Sequence, residues 1–299
     1  NGTAGNVTDL NKLKADVRLN DKTQDLGFLT AMLDPKVMSD YRIPNGISRE
    51  GTLKANGPKY AANLTAREGS GTIRLDGTAT IPQNNRGEMN LDAVSYDANI
   101  KVSNINVHHF MPKDSIYTVT ATIKAKGYGT DFLSNRSHMT ADATISHLQY
   151  GQWNLKDLTA IANLSNGRGQ ATVTGHNELL NGNIGIDALL STKKLEATIS
   201  ADIARADLFR LRLVNDTLTV GLCGHIDVTS DMKQTHYVSG FISDLFIQDE
   251  KGLYHPDDIV ILIKTSPDTT CLRAQSGDFI IKLDGSSGYE RLISQSTAL

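Results

Sequence analysis

The chain has 299 residues, of which 39% are hydrophobic and only 6% aromatic, and its formal net charge is −3 at pH 7. This length accommodates one or two domains, but the aromatic content is low for a compact enzyme. The small, mixed charge argues against a nucleic-acid partner, and no apolar run approaches the roughly 20 residues needed to cross a bilayer.

The first predicted elements are a strand, a helical segment and a hairpin. Residues 13–19 alternate apolar and polar side chains, which predicts a strand with one apolar face. Between residues 23 and 40 the apolar period lengthens to that of a helix, and Asp34-Pro35 can cap and begin a helical turn. We therefore predict a short helical segment there. Further on, Glu68-Gly69-Ser70-Gly71 is typical of a hairpin connection.

The middle of the chain carries the most regular alternation. Residues 117–125 place Tyr, Val, Ala, Ile and Ala on one side and Thr or Lys on the other. Near His147 the phase slips by one residue, which predicts a β-bulge or a bend. A turn is predicted at Asn166-Gly167-Arg168-Gly169.

The last third continues the same pattern. Residues 216–230 (DTLTVGLCGHIDVTS) alternate almost throughout, and residues 259–263 (IVILI) are apolar on both faces, which predicts local cover. Cys223 and Cys271 lie in predicted strands. A disulfide between them requires Cα atoms within about 7 Å, so the sequence leaves pairing open and favours two small unpaired residues.

Three long segments resemble one another. They begin with LKADVRL at Leu13, YDANIKV at Tyr96 and LEATISA at Leu195, and each leads to a strand that contains glycine. We predict one elongated repeat region, a fragment of a longer chain, with copies at 13–94, 95–194 and 195–292. The predicted fold class is all-β, an elongated, curled antiparallel sheet shaped like a trough (β-taco) and built from repeated strand modules.

Residues that perform catalysis or bind metals form no recognisable motif. His108-His109 would face opposite ways on a strand, and no cysteine or carboxylate cluster accompanies them. Ser, His and Asp occur outside any nucleophile elbow, and no phosphate-binding glycine loop is present. We predict that the protein is not an enzyme and uses no cofactor or metal.

The order of elements resembles the AsmA-like superfamily, and most closely the TamB-type proteins of Bacteroidetes. The resemblance covers about residues 13–292 and rests on the three segment beginnings and on IPNGISREGTLKANG from Ile43. It rests also on HNELLNGNIGIDALLS from His176 and on AQSGDFIIKLDGSSGYERL from Ala274. Its motifs are alternation and glycines, so the order of elements in successive copies is what identifies the family.

The resemblance implies a periplasmic protein whose parent chain is anchored in the inner membrane and reaches towards the outer membrane. It implies a trough that conducts or holds phospholipid between these membranes and supports outer-membrane biogenesis. Phospholipid acyl chains are the implied partners, together with an Omp85-class outer-membrane barrel that the parent chain would contact. No nucleic-acid partner is implied.

A sheet with one polar, solvated face must shield its other, apolar face from water, and bound acyl chains are one means of doing so. Small Ala and Gly side chains on the apolar face leave room, and each buried methylene stabilises the complex by about 0.8 kcal/mol. The candidate groove-lining residues are Ile73, Leu75, Val119, Ala121, Ile123, Met139, Ile145, Ile184, Ile186, Ile199, Val220, Leu222, Ile226 and Ile281.

Two other functions stay open. A structural or chaperone scaffold for outer-membrane protein assembly would pair client strands with exposed sheet edges. An adhesin or carbohydrate-binding β-solenoid would require rows of exposed aromatic side chains, which the Trp and Tyr residues do not form. A charged residue at Ile123 or Leu222 distinguishes the lipid hypothesis from the scaffold hypothesis, because it should block the passage of lipid and leave the pairing of strand edges intact.

Overall fold

A computed structural model describes residues 1–6, 11–22, 42, 44, 46–84, 86–191, 193–289 and 291. The described part of the chain is all-β, with 67% of the described residues in β-structure, 18 strands in antiparallel pairing, and 3% in helices. The predicted all-β, antiparallel fold class is thereby confirmed. The helical segment predicted at 23–40 lies outside the described residues.

The chain forms two compact units, Asn1–Ile161 and Ala162–Leu299, and β9 (Trp153–Ser165) contains the boundary. In the first unit each strand is antiparallel to the next. Its other strands are β1 Gly2–Gly5, β2 Lys14–Lys22, β3 Ser48–Asn56, β4 Lys59–Glu68, β5 Gly71–Thr80, β6 Ser95–Asn106, β7 Ile116–Tyr128 and β8 His138–Tyr150. Two 3-10 helices, Leu91–Ala93 and Val107–His109, connect strands.

The second unit is built in the same way, except that the strand His236–Gln248 (β14) pairs with both Leu253–Tyr254 (β15) and Ile259–Thr265 (β16). Its strands are β10 Arg168–His176, β11 Leu180–Leu190, β12 Leu195–Asp207, β13 Thr219–Ser230, β14 His236–Gln248, β15 Leu253–Tyr254, β16 Ile259–Thr265, β17 Thr270–Ser276 and β18 Phe279–Gly285.

Two features predicted from the sequence set the pairing of neighbouring strands: the hairpin turn after Glu68 and the bulge near His147. Gly69 and Ser70 join β4 to β5, and the φ of Gly69 is +56°, a value that favours glycine. In β7 and β8, Thr120 pairs with His147 whereas Ala121 pairs with Ile145. The residue between these partners, Ser146, is therefore the extra residue of a bulge, and the slip predicted near His147 is confirmed.

The strand pattern recurs along the chain. The three strands β6, β7 and β8 begin at residues 95, 116 and 138, and β12, β13 and β14 begin at 195, 219 and 236. The offsets are 100, 103 and 98 residues, and all six strands have 12 or 13 residues. The repeated sheet character is confirmed, while the three copy boundaries stay predictions.

Each unit has a thin core. Among the described residues no large side chain is fully buried, and most apolar side chains of the strands are half-buried. Neighbours on the same face shield their flanks, and the described residues form no second sheet that could pack on these faces. The cover predicted for residues 259–263 is wrong for Val260, which is 52% exposed.

Candidate functional site

Seven of the candidate residues lie on one face of the first unit, its apolar face. They are Ile73, Leu75, Val119, Ala121, Ile123, Met139 and Ile145. Residues opposite each other on neighbouring strands share a face, and the register places Ile73 opposite Val102 and Val102 opposite Ala121. Ala121 is buried and the other six are half-buried.

The other seven candidates share one face of the second unit, which is its apolar face. They are Ile184, Ile186, Ile199, Val220, Leu222, Ile226 and Ile281. Ile186, Ile199 and Ile226 stand opposite one another on β11, β12 and β13. Ile186, Ile199 and Ile281 remain exposed and the other four are half-buried. All fourteen candidates therefore lie on apolar faces, and their contact with lipid stays a prediction.

A line of small residues crosses five strands of the first unit's apolar face. We call it the small-residue lane, and it consists of Ala62, Gly77, Ala98, Ala125 and Ala141. With strands about 4.8 Å apart, the lane is roughly 19 Å long. A ridge of larger side chains runs beside it, formed by Leu64, Leu75, Ile100 and Ile123.

The lane was not among the residues that sequence reasoning selected. Alternation shows which residues share a strand face, but alignment across five strands depends on the register of four successive pairings. The two-residue turn at Gly69-Ser70 fixes the pairing of β4 with β5, and this turn is recognisable in the sequence. The connection from Ile81 to Val94, with its 3-10 helix, provides no comparable signal.

The apolar face of the second unit has bulkier residues. One line across its strands consists of Ala188, Ala197, Val228, Val238, Ile263 and Leu272. Branched side chains fill most of these positions, so this line does not form a lane of small residues.

Side chains on the opposite, polar face bind one another. Arg168 donates two hydrogen bonds to Asp187, of 2.6 and 2.7 Å, and Gln170 donates a third of 2.8 Å. The bonds from Arg168 and then Gln170 lower the pKa of Asp187 to about 2. Arg273 likewise binds both carboxylate oxygens of Asp284 at 2.8 Å.

The second unit's polar face also bears an open cleft of about 430 Å³ that is lined in part by three acidic residues. Asp187 binds Arg168, Asp227 accepts a 2.6 Å hydrogen bond from Thr198, and Glu196 forms an ion pair with Lys194. Because each of these three carboxylates already has a hydrogen-bond or ion-pair partner within the protein, the cleft is not a convincing ligand-binding site.

The adjacent histidines do not lie on a strand, contrary to expectation. His108 and His109 belong to the 3-10 helix Val107–His109, where the side chain of Asn106 accepts a bond from the His108 N–H. The His108 ring stacks on Tyr117 with 4.9 Å between centroids, and His109 Nδ1 lies 2.9 Å from Glu68. No group of three metal-ligating side chains is found in the described ranges.

The two cysteines lie within strands, as predicted, and both are free. Three strand spacings of about 4.8 Å separate β13 from β17, which places Cys223 and Cys271 beyond the roughly 7 Å that a disulfide permits. The Cys223 thiol lies 3.5 Å from Asp202. The hydrogen bond with this carboxylate and desolvation raise the pKa of the thiol.

The chain matches no protein-family model, no curated protein and no solved structure. Of the helices in the described part of the chain, none has the length and hydropathy required to span a membrane. The features of the described residues that bear on function are the two apolar faces and the small-residue lane.

Acid should weaken the second unit through Asp187 and Asp231. Backbone hydrogen bonds from Thr235 and Lys233 lower the pKa of Asp231 to about 2, as Arg168 does for Asp187. Since an aspartate in the unfolded chain has a pKa of about 3.9, the stability that both groups contribute is present above that pH and is lost as the pH falls towards 2. The free energy of unfolding in urea, measured at pH 7, 4 and 2.5, should show this loss, and a folded D187N/D231N variant should lose less stability over the same range. An equal loss in both proteins would show that Asp187 and Asp231 are not its source.

Proposed function

We propose that this chain holds phospholipid acyl chains on its apolar faces, as a segment of a periplasmic bridge that conducts phospholipid between membranes. The observation that carries the proposal is an apolar face in each unit without a covering layer among the described residues. Contiguous exposed apolar surface is costly in water and typically marks a binding surface.

The small-residue lane is long enough to hold an acyl chain. Its alanines and glycine lie lower than the ridge that contains Leu75 and Ile123, so a chain can lie alongside the ridge. A lane of roughly 19 Å exceeds the approximately 15 Å that one leaflet contributes to a bilayer core. Ten buried methylenes would stabilise the complex by about 8 kcal/mol before entropic costs.

The chemistry of the lane favours movement as well as binding. The lane presents methyl groups and one glycine backbone, so an acyl chain that slides along it breaks no hydrogen bond. The polar head group can remain in water because the apolar face is open. A surface with these properties binds lipid without specifying one position, as a conduit requires.

The family resemblance gives this proposal its cellular setting. A repeated antiparallel sheet with apolar faces supports an AsmA-like, TamB-type protein of the periplasm. In that setting the parent chain would also contact an Omp85-class barrel. The alternative, a scaffold that pairs client strands, requires free strand edges and makes no use of the apolar faces.

Native mass spectrometry of the purified chain tests lipid binding directly. We expect phospholipid to accompany the unaltered protein and to fall at least about tenfold in an I123D/L222D variant, because a carboxylate on the apolar face must stay hydrated. Thr122→Asp is the matched control, since Thr122 lies beside Ile123 on the polar face, opposite Lys101. It should retain lipid.

Circular dichroism establishes that each variant is folded before its lipid content is compared. A lipid-free unaltered protein, or equal lipid in a folded I123D/L222D variant, would refute the proposed function. Neither set of substitutions should affect the pairing of client strands with the sheet edges.

A further inference from the structure

Strand β18 is an edge of the second unit's sheet that is exposed on both faces. It pairs with β17 along its whole length, and among the described residues no strand pairs with its other side. Phe279 is 67% exposed, Ile280 50% and Ile281 46%. The pairing with β17 has no bulge and β18 has no proline, so the charged residues Lys282 and Asp284 are the features that restrict which strands can pair with this edge.

Lipid on the apolar face does not account for all of this exposure. Phe279 and Ile281 lie on the apolar face, but Ile280 lies on the polar face. Its row continues through Gln275 to Val260 and Phe241, both of which are also exposed. The edge is therefore apolar above and below its backbone.

An unpaired edge presents alternating N–H and C=O groups that another extended strand can satisfy. We propose that this partner is β18 of a second copy of this chain, aligned antiparallel about Ile280. Phe279 of each copy then lies opposite Ile281 of the other, and the two Ile280 side chains meet. Asp278 of each copy lies opposite Lys282 of the other.

Charge complementarity selects this register over its neighbours. Alignment about Lys282 would place two ammonium groups opposite each other, and alignment about Ile281 would place Asp278 opposite Asp284. Alignment about Leu283 would offer Lys282 only Asp284, which Arg273 already binds through both oxygens. Of these registers, the Ile280 register joins unlike charges without competing with the Arg273–Asp284 ion pair, and it keeps apolar residues opposite apolar residues.

Light scattering coupled to size-exclusion chromatography of the whole chain tests the proposal. We expect a concentration-dependent dimer, and Lys282→Asp should weaken it about tenfold or more because two attractive pairs become repulsive. A D278K/K282D variant exchanges the charges and should restore the dimer, a rescue that requires the proposed register.

Lys101→Asp is the control, because Lys101 is an exposed lysine on the polar face of β6, beside Arg74. It should leave the dimer unchanged. If Lys282→Asp fails to fold, Ile280→Lys provides a second measurement, since it places two ammonium groups at the centre of the pairing. A monomer at every concentration, or a dimer indifferent to the Lys282 and Ile280 variants, would overturn the proposal.

Discussion

An A98F/A125F variant should lose acyl-chain binding in the first unit while remaining folded. Ala98 and Ala125 lie opposite each other in the middle of the small-residue lane, and both are half-buried. Two Phe side chains fill the lane and favour strand structure through their cross-strand contact. If they exclude only two methylenes, the loss is about 1.6 kcal/mol, which is more than tenfold in affinity.

Palmitate titrated into the delipidated chain measures this effect, with urea unfolding as the check on stability. Asn99→Phe is the matched control, because Asn99 follows Ala98 on β6 and faces the polar side. It should leave the affinity unchanged. The variant distinguishes a lane whose shape admits the acyl chain from an apolar surface of no particular shape. On a surface of no particular shape, two added aromatic rings should increase palmitate binding. Unchanged or tighter binding by A98F/A125F would therefore contradict the lane.

Periodicity predicted most of the strands because a sheet with one apolar face imposes alternation on its residues. The strand predicted at 117–125 lies within β7, the strand predicted from residue 216 begins three residues later, at Thr219, and the bulge near His147 is present. Such evidence is local. It needs only the geometry of one strand and its nearest turn.

The features that sequence reasoning missed depend on relations between strands. The lane depends on register across five strands, including the connection Ile81–Val94, whose conformation alternation does not determine. The histidine pair was assigned to a strand because its neighbours alternate, yet the Asn106 side chain caps a 3-10 turn there. Val260 was expected to be covered because its neighbours are apolar, but cover comes from other elements.

Gly182→Ala should destabilise the second unit by about 2–4 kcal/mol. Gly182 has a φ of +153° at the irregularity between β11 and β12, in a region that L side chains rarely adopt. A Cβ there would overlap the carbonyl oxygen of Asp202 and lie 2.7 Å from the Cα of Ile203. Backbone cannot move aside as a flexible side chain can, so strain and overpacking add.

Gly169→Ala is the matched control within the same hairpin. Gly169 lies in β10, and a Cβ at that position would meet only Leu164, at an ordinary 3.8 Å. This substitution should be neutral or stabilise by up to about 1 kcal/mol, because it restricts the unfolded chain. Urea unfolding followed by circular dichroism measures both variants. Equal midpoints would show that β11 and β12 do not approach closely at Gly182. A large difference would show that the glycine permits the irregular register through which β12 continues the apolar face.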